Sequence, residues 1–266
     1  MFFSPEQIEQ LDQGYLEVHA KYNAVLLKSS LVSAKLSNDR AKEFLMHGFG
    51  RRLKILKRCI ENVYTLFPPD TKELLSSENL SDLDINLQSF ILNVFGCFDN
   101  MAWVLVREKK LNINRRDVSF LKDKINPEIM SALSDDLQKY ILSDKNKEWI
   151  SYLKNFRDAL AHRIPLYVPP KGLIPEEQRE YERLENLKTI ALVQNDYMEH
   201  ERLNDKQDSL GSPLFVMCHS FSETDSKHMV FHVQMLADFN TVCEFAEKFF
   251  AQLLGVDNML KAQSLS

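Results

Sequence analysis

The chain has 266 residues, of which 44% are hydrophobic and 27% charged, and its formal net charge is −5. This composition is that of an ordinary folded protein and argues against intrinsic disorder. The negative charge excludes a protein that coats nucleic acid through a global positive field, because non-specific binding grows with the number of phosphates neutralised. Any contact with RNA must therefore be local. Only seven glycines favour long helices over many short strands, so we predict a mainly α fold.

The predicted helices of the N-terminal half follow each other closely. Ser4 offers an N-cap for a helix over residues 5–35, whose first position is a proline. A second helix over 39–66 ends at two prolines, and we expect these two helices to form an antiparallel hairpin. A third, over about 81–111, is apolar on nearly all sides and should be the central element.

The C-terminal half is more varied. Shorter helical pieces are expected over 114–143, followed by a helix over 145–162 that stops before three prolines. A long charged helix is predicted from Pro175 to about residue 205. Two β-prone runs indicate one short hairpin at about 213–233, and a last helix should occupy about 235–254. We expect a single domain over residues 1–266.

Three features indicate a reduced, cytoplasmic protein without membrane contact. Residues 1–6 do not resemble a signal peptide. The apolar run 90–106 is interrupted by Asn93, Asp99 and Asn100, which predicts a buried helix rather than a membrane span. The cysteines are widely spaced and form no CxxC pair, which favours buried thiols over disulfides or a zinc site; they are Cys59, Cys97, Cys218 and Cys243.

The segment most suggestive of chemistry is RDALAHR, residues 157–163, followed by the proline-rich IPLYVPP. Arg157 can hold a phosphate oxygen as a permanently charged fork, and His162 can exchange a proton near neutral pH. Together these side chains predict catalysis on a phosphodiester without a metal ion.

This segment resembles the signature of the HEPN superfamily, in which an Arg, four intervening residues and a His lie near the end of a helix. The longer run through the prolines is similar to an uncharacterised bacterial branch of that superfamily. The specific part of the resemblance covers about residues 145–170. It implies an antiparallel helical bundle, here with extra helices, and RNA cleavage in bacterial stress or defence. It also implies a homodimer in which two such helices face each other.

The resemblance also implies roles for individual residues. His162 would deprotonate a ribose 2′-hydroxyl and Arg157 would stabilise the charge on the phosphoryl oxygens, giving a 2′,3′-cyclic phosphate. Asp158 could orient either residue, and Arg163 could hold a neighbouring phosphate. Some HEPN toxins carry a modified tyrosine two residues after the His, but Ile164 stands there in this chain.

A polar residue of an earlier helix often supports the Arg and His in HEPN proteins. Asp99 and Asn100, in the central apolar helix, are the candidates for that role. A hydrogen bond within the core is the alternative for both, because buried polar groups need partners.

Other interpretations of the motif remain open. Five residues turn an α-helix by about 140°, so Arg157 and His162 do not share a face unless the helix end relaxes or a second chain contributes. His162 could instead cap the helix C-terminus, and Arg157 could pair with Asp158. Arg40 and His47 match the bare spacing as well, so spacing alone does not decide.

The remaining candidates have simpler explanations. The basic stretches 47–58 and 107–116 are typical of solvated helix faces, although either could line an RNA groove. His219, His228 and His232 lack neighbouring paired carboxylates or cysteines, so no metal is expected. No GxGxxG, P-loop or GxSxG motif is present, and no cofactor is expected.

A second hypothesis from a different class uses the same bundle without catalysis. The protein would then dimerise or hold a partner protein, with Arg157 and His162 in structural roles. The long helix from Pro175 would supply a surface for that partner.

Overall fold

The computed structural model describes residues 2–220 and 227–255, and it is mainly helical, as predicted. The helices are α1 (Pro5–Lys35), α2 (Asp39–Glu43), α3 (Gly50–Leu66), α4 (Ser77–Glu108), α5 (Pro127–Ser131), α6 (Asp135–Leu142), α7 (Asp144–His162), α8 (Pro175–Val193), α9 (Tyr197–Asp208) and α10 (Phe231–Leu254). A π-helical turn, Phe44–Phe49, joins α2 to α3 without a break, and a 3₁₀ turn, Arg115–Asp117, follows α4. The prediction of short helical pieces between the central helix and the motif helix is confirmed.

Helix α4 lies at the centre and packs against α3, α7 and α10. It begins at Ser77 rather than near residue 81, because Ser76 provides the N-cap and accepts the Asn79 N–H at 3.2 Å. Ser81 lies inside the first turns and donates its hydroxyl hydrogen bond to the Ser77 carbonyl. By length and composition α4 could cross a membrane, but 61% of its apolar window is buried among the described residues. It is thus the core helix that the sequence predicted.

Helix α1 covers one side of this core. Its start is as predicted: Ser4 Oγ accepts the Gln7 N–H, and the Ser4 N–H donates to Gln7 Oε1 at 2.9 Å in a reciprocal capping box. Helix α1 packs on α3, the expected neighbour, and more extensively on α10. The C-terminal helix therefore completes the bundle. All four cysteines are buried and free, as expected of structural thiols.

The helix predicted over 175–205 is instead two helices. Asn195 adopts a left-handed conformation, with φ 59°, that ends α8, and Asp196 then caps α9 by accepting the Glu199 N–H at 3.0 Å. We call α8 and α9 the arm. The two helices pack mainly on each other around a small core of their own, separate from the main core. Its buried members are Leu184, Ala191 and Leu203.

The predicted hairpin is present in shortened form. Val216–Met217 pairs antiparallel with Met229–Val230, and the connecting residues 221–226 lie outside the described part. The second β-prone run was expected to reach about residue 233, but its strand ends at Val230 because Phe231 is the first residue of α10. Helix α10 therefore starts earlier than the predicted residue 235. Helical spacing buries Phe231, Met235, Phe239 and Val242 on one side of α10.

Candidate nucleic-acid interface

Helix α7 carries the motif and is fixed to the bundle through one face. It begins at Asp144, after the N-cap Ser143, which is one residue before the predicted start. It ends at His162, as predicted. Leu153, Phe156 and Ala159 are buried against the core. Positions 154 and 157 therefore lie beside that buried stripe, half-exposed, and face a cleft.

The Arg157 guanidinium lies over an aromatic ring of the central helix. Its Cζ is 4.3 Å from the centroid of the Phe95 ring, a cation–π distance. Nε lies 3.0 Å from Asp158 Oδ1, but this contact lacks the alignment of a hydrogen bond. The buried Nε–H thus has no hydrogen-bond acceptor among the described residues. A buried donor without an aligned acceptor is costly, and the ion pair with Asp158 and the contact with Phe95 offset part of that cost.

Asp99 lies in the same neighbourhood, as the sequence suggested. Its Oδ1 accepts a hydrogen bond from Ser119 Oγ at 2.7 Å. Burial raises the pKa of Asp99, while the Ser119 hydrogen bond and the charges of Arg157, Arg52 and Lys122 oppose the rise. The Asp99 carboxyl group thus lies among cationic side chains from three different segments.

Asn100 faces another arginine. Its Oδ1 accepts a hydrogen bond from Arg52 Nε at 3.0 Å, and Asn93 Oδ1 accepts one from Arg52 Nη1 at 3.1 Å. The Arg52 guanidinium lies flat against Gly96, where a Cβ would be 2.4 Å from its Cζ. Asn100 therefore holds Arg52 and makes no hydrogen bond with Arg157. Arg52 itself is half-buried between α3 and α4, unlike the solvated face expected for the stretch 47–58.

His162 is exposed at the last turn of α7 and has no hydrogen-bond or ion-pair partner in residues 2–220 and 227–255. Since five residues separate it from Arg157, the two side chains leave the helix about 140° apart. Within one chain, the structure does not bring them together. The Arg163 side chain turns back along the helix and donates from Nη2 to the Asn155 carbonyl at 3.1 Å.

An open cleft of about 630 Å³ lies between α4, α7 and the segment that follows the 3₁₀ turn; we call it the basic cleft. Its cationic side chains come from two stretches that are distant in sequence, 115–124 and 154–157: Arg115, Arg116, Lys122, Lys124, Lys154 and Arg157. The acidic residues on its wall are Asp99 and Asp123. The stretch 107–116 thus contributes to a groove, as one of its two sequence interpretations allowed. Lys122, Lys124 and Lys154 were missed, because isolated lysines carry no recognisable pattern.

Aromatic rings continue the cleft on the α4 side. Trp103, on the cleft wall, stacks on Phe44 with 5.4 Å between ring centroids and an angle of 10°. Arg107 lies 4.9 Å from the Trp103 ring and Arg40 lies 5.2 Å from the Phe44 ring. Interleaved cations and aromatic rings are typical of surfaces that bind single-stranded nucleic acid.

The competing pair from the sequence has other contacts. Arg40 is ion-paired with Glu43 as well as stacked on Phe44, and the exposed His47 lies 3.4 Å from an Arg51 guanidinium nitrogen. Neither residue lines the basic cleft. The structure therefore does not place Arg40 and His47 together in this cleft.

Two of the three histidines near the β-hairpin, His219 and His232, are buried, and the third, His228, is exposed. His232 is fully buried, its Nε2 lies 2.7 Å from the Phe67 carbonyl, and burial lowers its pKa to about 4. His219 Nε2 lies 2.8 Å from Asn155 Oδ1, which ties the β1 region to α7. No cluster of His, Cys, Asp or Glu suited to a metal occurs within the described ranges.

Comparison of the chain with protein-family models, with curated proteins and with solved structures returned no significant match.

Proposed function

We propose that this chain is a metal-independent endoribonuclease of the HEPN type that takes RNA into the basic cleft. The observation that carries the proposal is the position of Arg157. It lies on the wall of a cleft lined by six cationic side chains, with a buried Nε–H that lacks an acceptor among the described residues. A phosphoryl oxygen has the right charge to accept hydrogen bonds from the Arg157 guanidinium, whose side chain lines this cleft.

The reaction needs one proton acceptor and one charge stabiliser. His162 removes the 2′-hydroxyl proton, the oxygen attacks the adjacent phosphorus, and the 5′-oxygen leaves, so the products carry a 2′,3′-cyclic phosphate and a 5′-hydroxyl. Arg157 stabilises the charge that develops on the phosphoryl oxygens. Asp158, 3.0 Å from Arg157, orients the guanidinium, and Arg163 is placed near the same helix end for a neighbouring phosphate.

The site requires two chains in this proposal. Arg157 faces α4 while His162 points to solvent on another side of α7. A homodimer with paired α7 helices would let the histidine of one chain meet the arginine of the other. The exposure of His162 supports this arrangement, since a C-capping imidazole would be engaged with helix carbonyls.

The second candidate function is a protein-interaction module. It is favoured by the half-buried state of Arg157, which packs on Phe95 beside Asp158 like a structural arginine. The arm, with its small separate core, would supply the surface for a partner.

An RNase assay in EDTA with wild type, His162→Ala and Arg157→Ala tests the enzyme. Each variant should cleave about 10² to 10⁴ times more slowly than wild type, because each loses one of the two groups that act in the transition state. The product should carry cyclic-phosphate ends. His47→Ala is the matched control, since this exposed histidine lies outside the basic cleft.

Thermal melts must accompany the rates, and His162→Ala should melt like wild type because the side chain is exposed. Equal cleavage by all four proteins would exclude the assigned site. Absence of cleavage with every RNA tested would favour the interaction module.

A further inference from the structure

The tip of the arm exposes an unusual amount of apolar side chain. The turn between α8 and α9 and its flanking residues, 190–198, form what we call the arm tip. Met198 is 84% exposed, Val193 78% and Tyr197 66%, and Ile190 and Leu192 are about half exposed. A cluster of exposed apolar side chains on a protein surface marks an interaction site.

The charge around the tip has one sign. Between residues 189 and 201 the ionised side chains are Asp196, Glu199 and Glu201, and no Lys or Arg occurs. Arg202, the next residue, is engaged with Glu199 through two short hydrogen bonds. A partner should therefore offer an apolar surface with a positive rim, and an anionic membrane or RNA would be repelled.

The same chain contains such a surface on its main body. An open cleft of about 440 Å³, which we call the apolar cleft, lies beside the N-terminal half of α7. Its floor is apolar and is formed by Ile125, Met130, Ile141, Leu142 and Ile150. Its rim carries Lys122, Lys124 and Lys147 and one carboxylate, Asp123, and it shares Lys122, Asp123 and Lys124 with the basic cleft. Lys122 is ion-paired with Asp117, Lys147 with Asp144 and Asp123 with Lys154, whereas Lys124 has no ion-pair partner among the described residues.

We propose that the arm tip of one copy of this chain binds in the apolar cleft of a second copy. Apolar side chains with an acidic surround on the tip match an apolar floor with a basic rim in the cleft. If the exchange is reciprocal, each contact occurs twice, as in an isologous dimer. The proposal concerns assembly and does not depend on RNA cleavage.

Sedimentation of variants in each surface tests the proposal. Val193→Glu/Met198→Glu alters the tip, and Leu142→Glu alters the cleft at a residue that is 51% exposed, so both variants should fold. Wild type should sediment as two chains at tens of micromolar, and each variant should dissociate at least tenfold more readily. Leu16→Glu, at a 68% exposed position on α1, is the control and should remain dimeric.

Mixing the two variants gives the sharper result. The tip variant keeps an intact cleft and the cleft variant keeps an intact tip, so an equimolar mixture should form heterodimers through one remaining contact. A monomeric wild type overturns the proposal, as does a dimer that survives in either variant. A dimer lost only in the tip variant would indicate tip-to-tip contact or another occupant. A dimer that persists in both arm and cleft variants, together with RNase activity, would leave the proposed enzyme intact while excluding the arm exchange.

Discussion

Asp238 shows how one buried carboxylate fixes the motif helix. It is fully buried on α10 and accepts hydrogen bonds from Trp149 Nε1 at 2.7 Å, Gln234 Nε2 at 2.7 Å and Tyr152 OH at 3.2 Å. Trp149 and Tyr152 belong to α7. The three donors are neutral, so no cation offsets the cost of burial, and burial raises the pKa of Asp238 to about 7.

This raised pKa predicts a pH-dependent effect of Asp238→Asn. An aspartate in the unfolded chain has a pKa near 4, well below that of Asp238 in the folded protein. The contribution of Asp238 to the free energy of unfolding is therefore complete below about pH 4 and is lost as the pH rises through about 7. The amide cannot ionise. The melting temperature of the variant should therefore rise relative to wild type between pH 5 and pH 8.

Taking the difference between variant and wild type removes other titrations, such as that of His232, whose lowered pKa acts in the opposite direction. Thermal melts of both proteins at four pH values measure this difference. A constant difference across the range would show that Asp238 does not titrate there.

Arg52 and Arg157 show how similar residues acquire different environments. Both charges act on Asp99, yet Arg52 is held by the neutral amides of Asn93 and Asn100 while Arg157 lies on Phe95. Asp99 and Asn100 both interrupt an apolar helix, and the family resemblance of the motif made either of them a candidate to support it. Side-chain direction, which separates their roles, depends on how α3 and α7 pack against α4.

At the scale of the element, α7 has to be both a core helix and a cleft wall. Adjacent residues separate these tasks: Leu153 is fully buried, whereas Lys154 lines the basic cleft and pairs with the exposed Asp123 at 2.6 Å. A surface ion pair of this kind contributes about 0 to 1 kcal/mol to stability.

Alanine substitutions at these neighbours should therefore have opposite consequences. Leu153→Ala should lower the free energy of unfolding by about 2 to 5 kcal/mol, because it leaves a cavity in the core. Lys154→Ala should change that free energy by less than about 1 kcal/mol and weaken RNA binding. Urea titrations and RNA-binding isotherms on the two variants make the comparison. A Lys154→Ala protein that binds RNA like wild type would contradict the assignment of the cleft.

Helix ends were predictable from the sequence where local signals dominate. Ser4 and Pro5 set the start of α1, and the prolines after His162 set the end of α7. The arm was predicted as one helix because Gln194, Asn195 and Asp196 contain neither Gly nor Pro. The break depends on the left-handed conformation of Asn195 and on the N-cap role of Asp196. A single asparagine followed by an aspartate is a weak sequence signal for the end of one helix and the start of another.

For the whole molecule, the contrast between a net charge of −5 and a local cluster of six cations has a measurable consequence. A plot of the logarithm of the RNA-binding constant against the logarithm of the salt concentration should have a slope no steeper than about −4. Single strands give a slope of about −0.7 for each phosphate that a cation neutralises. Arg115→Ala/Arg116→Ala should reduce that slope by about 1.4.

Fluorescence anisotropy at several salt concentrations gives both slopes. The matched control is Arg179→Ala/Arg183→Ala on the arm, where both arginines are ion-paired with neighbouring glutamates and lie outside the basic cleft. Equal slopes for the two double variants would contradict RNA binding in the cleft.

The sequence by itself determined the helical class, the central position of α4, the N-cap of α1, the buried thiols and the motif at the end of α7. These follow from local propensity and from the period of apolar residues, which are properties of short segments. Only the tertiary structure decided that Arg157 and Asp99 share a cleft and that Asn100 supports Arg52. Lys122, Lys124 and Lys154 become one basic surface only when α7 packs beside the segment after α4. Such proximity depends on the packing of distant elements, and no local pattern in the chain records it.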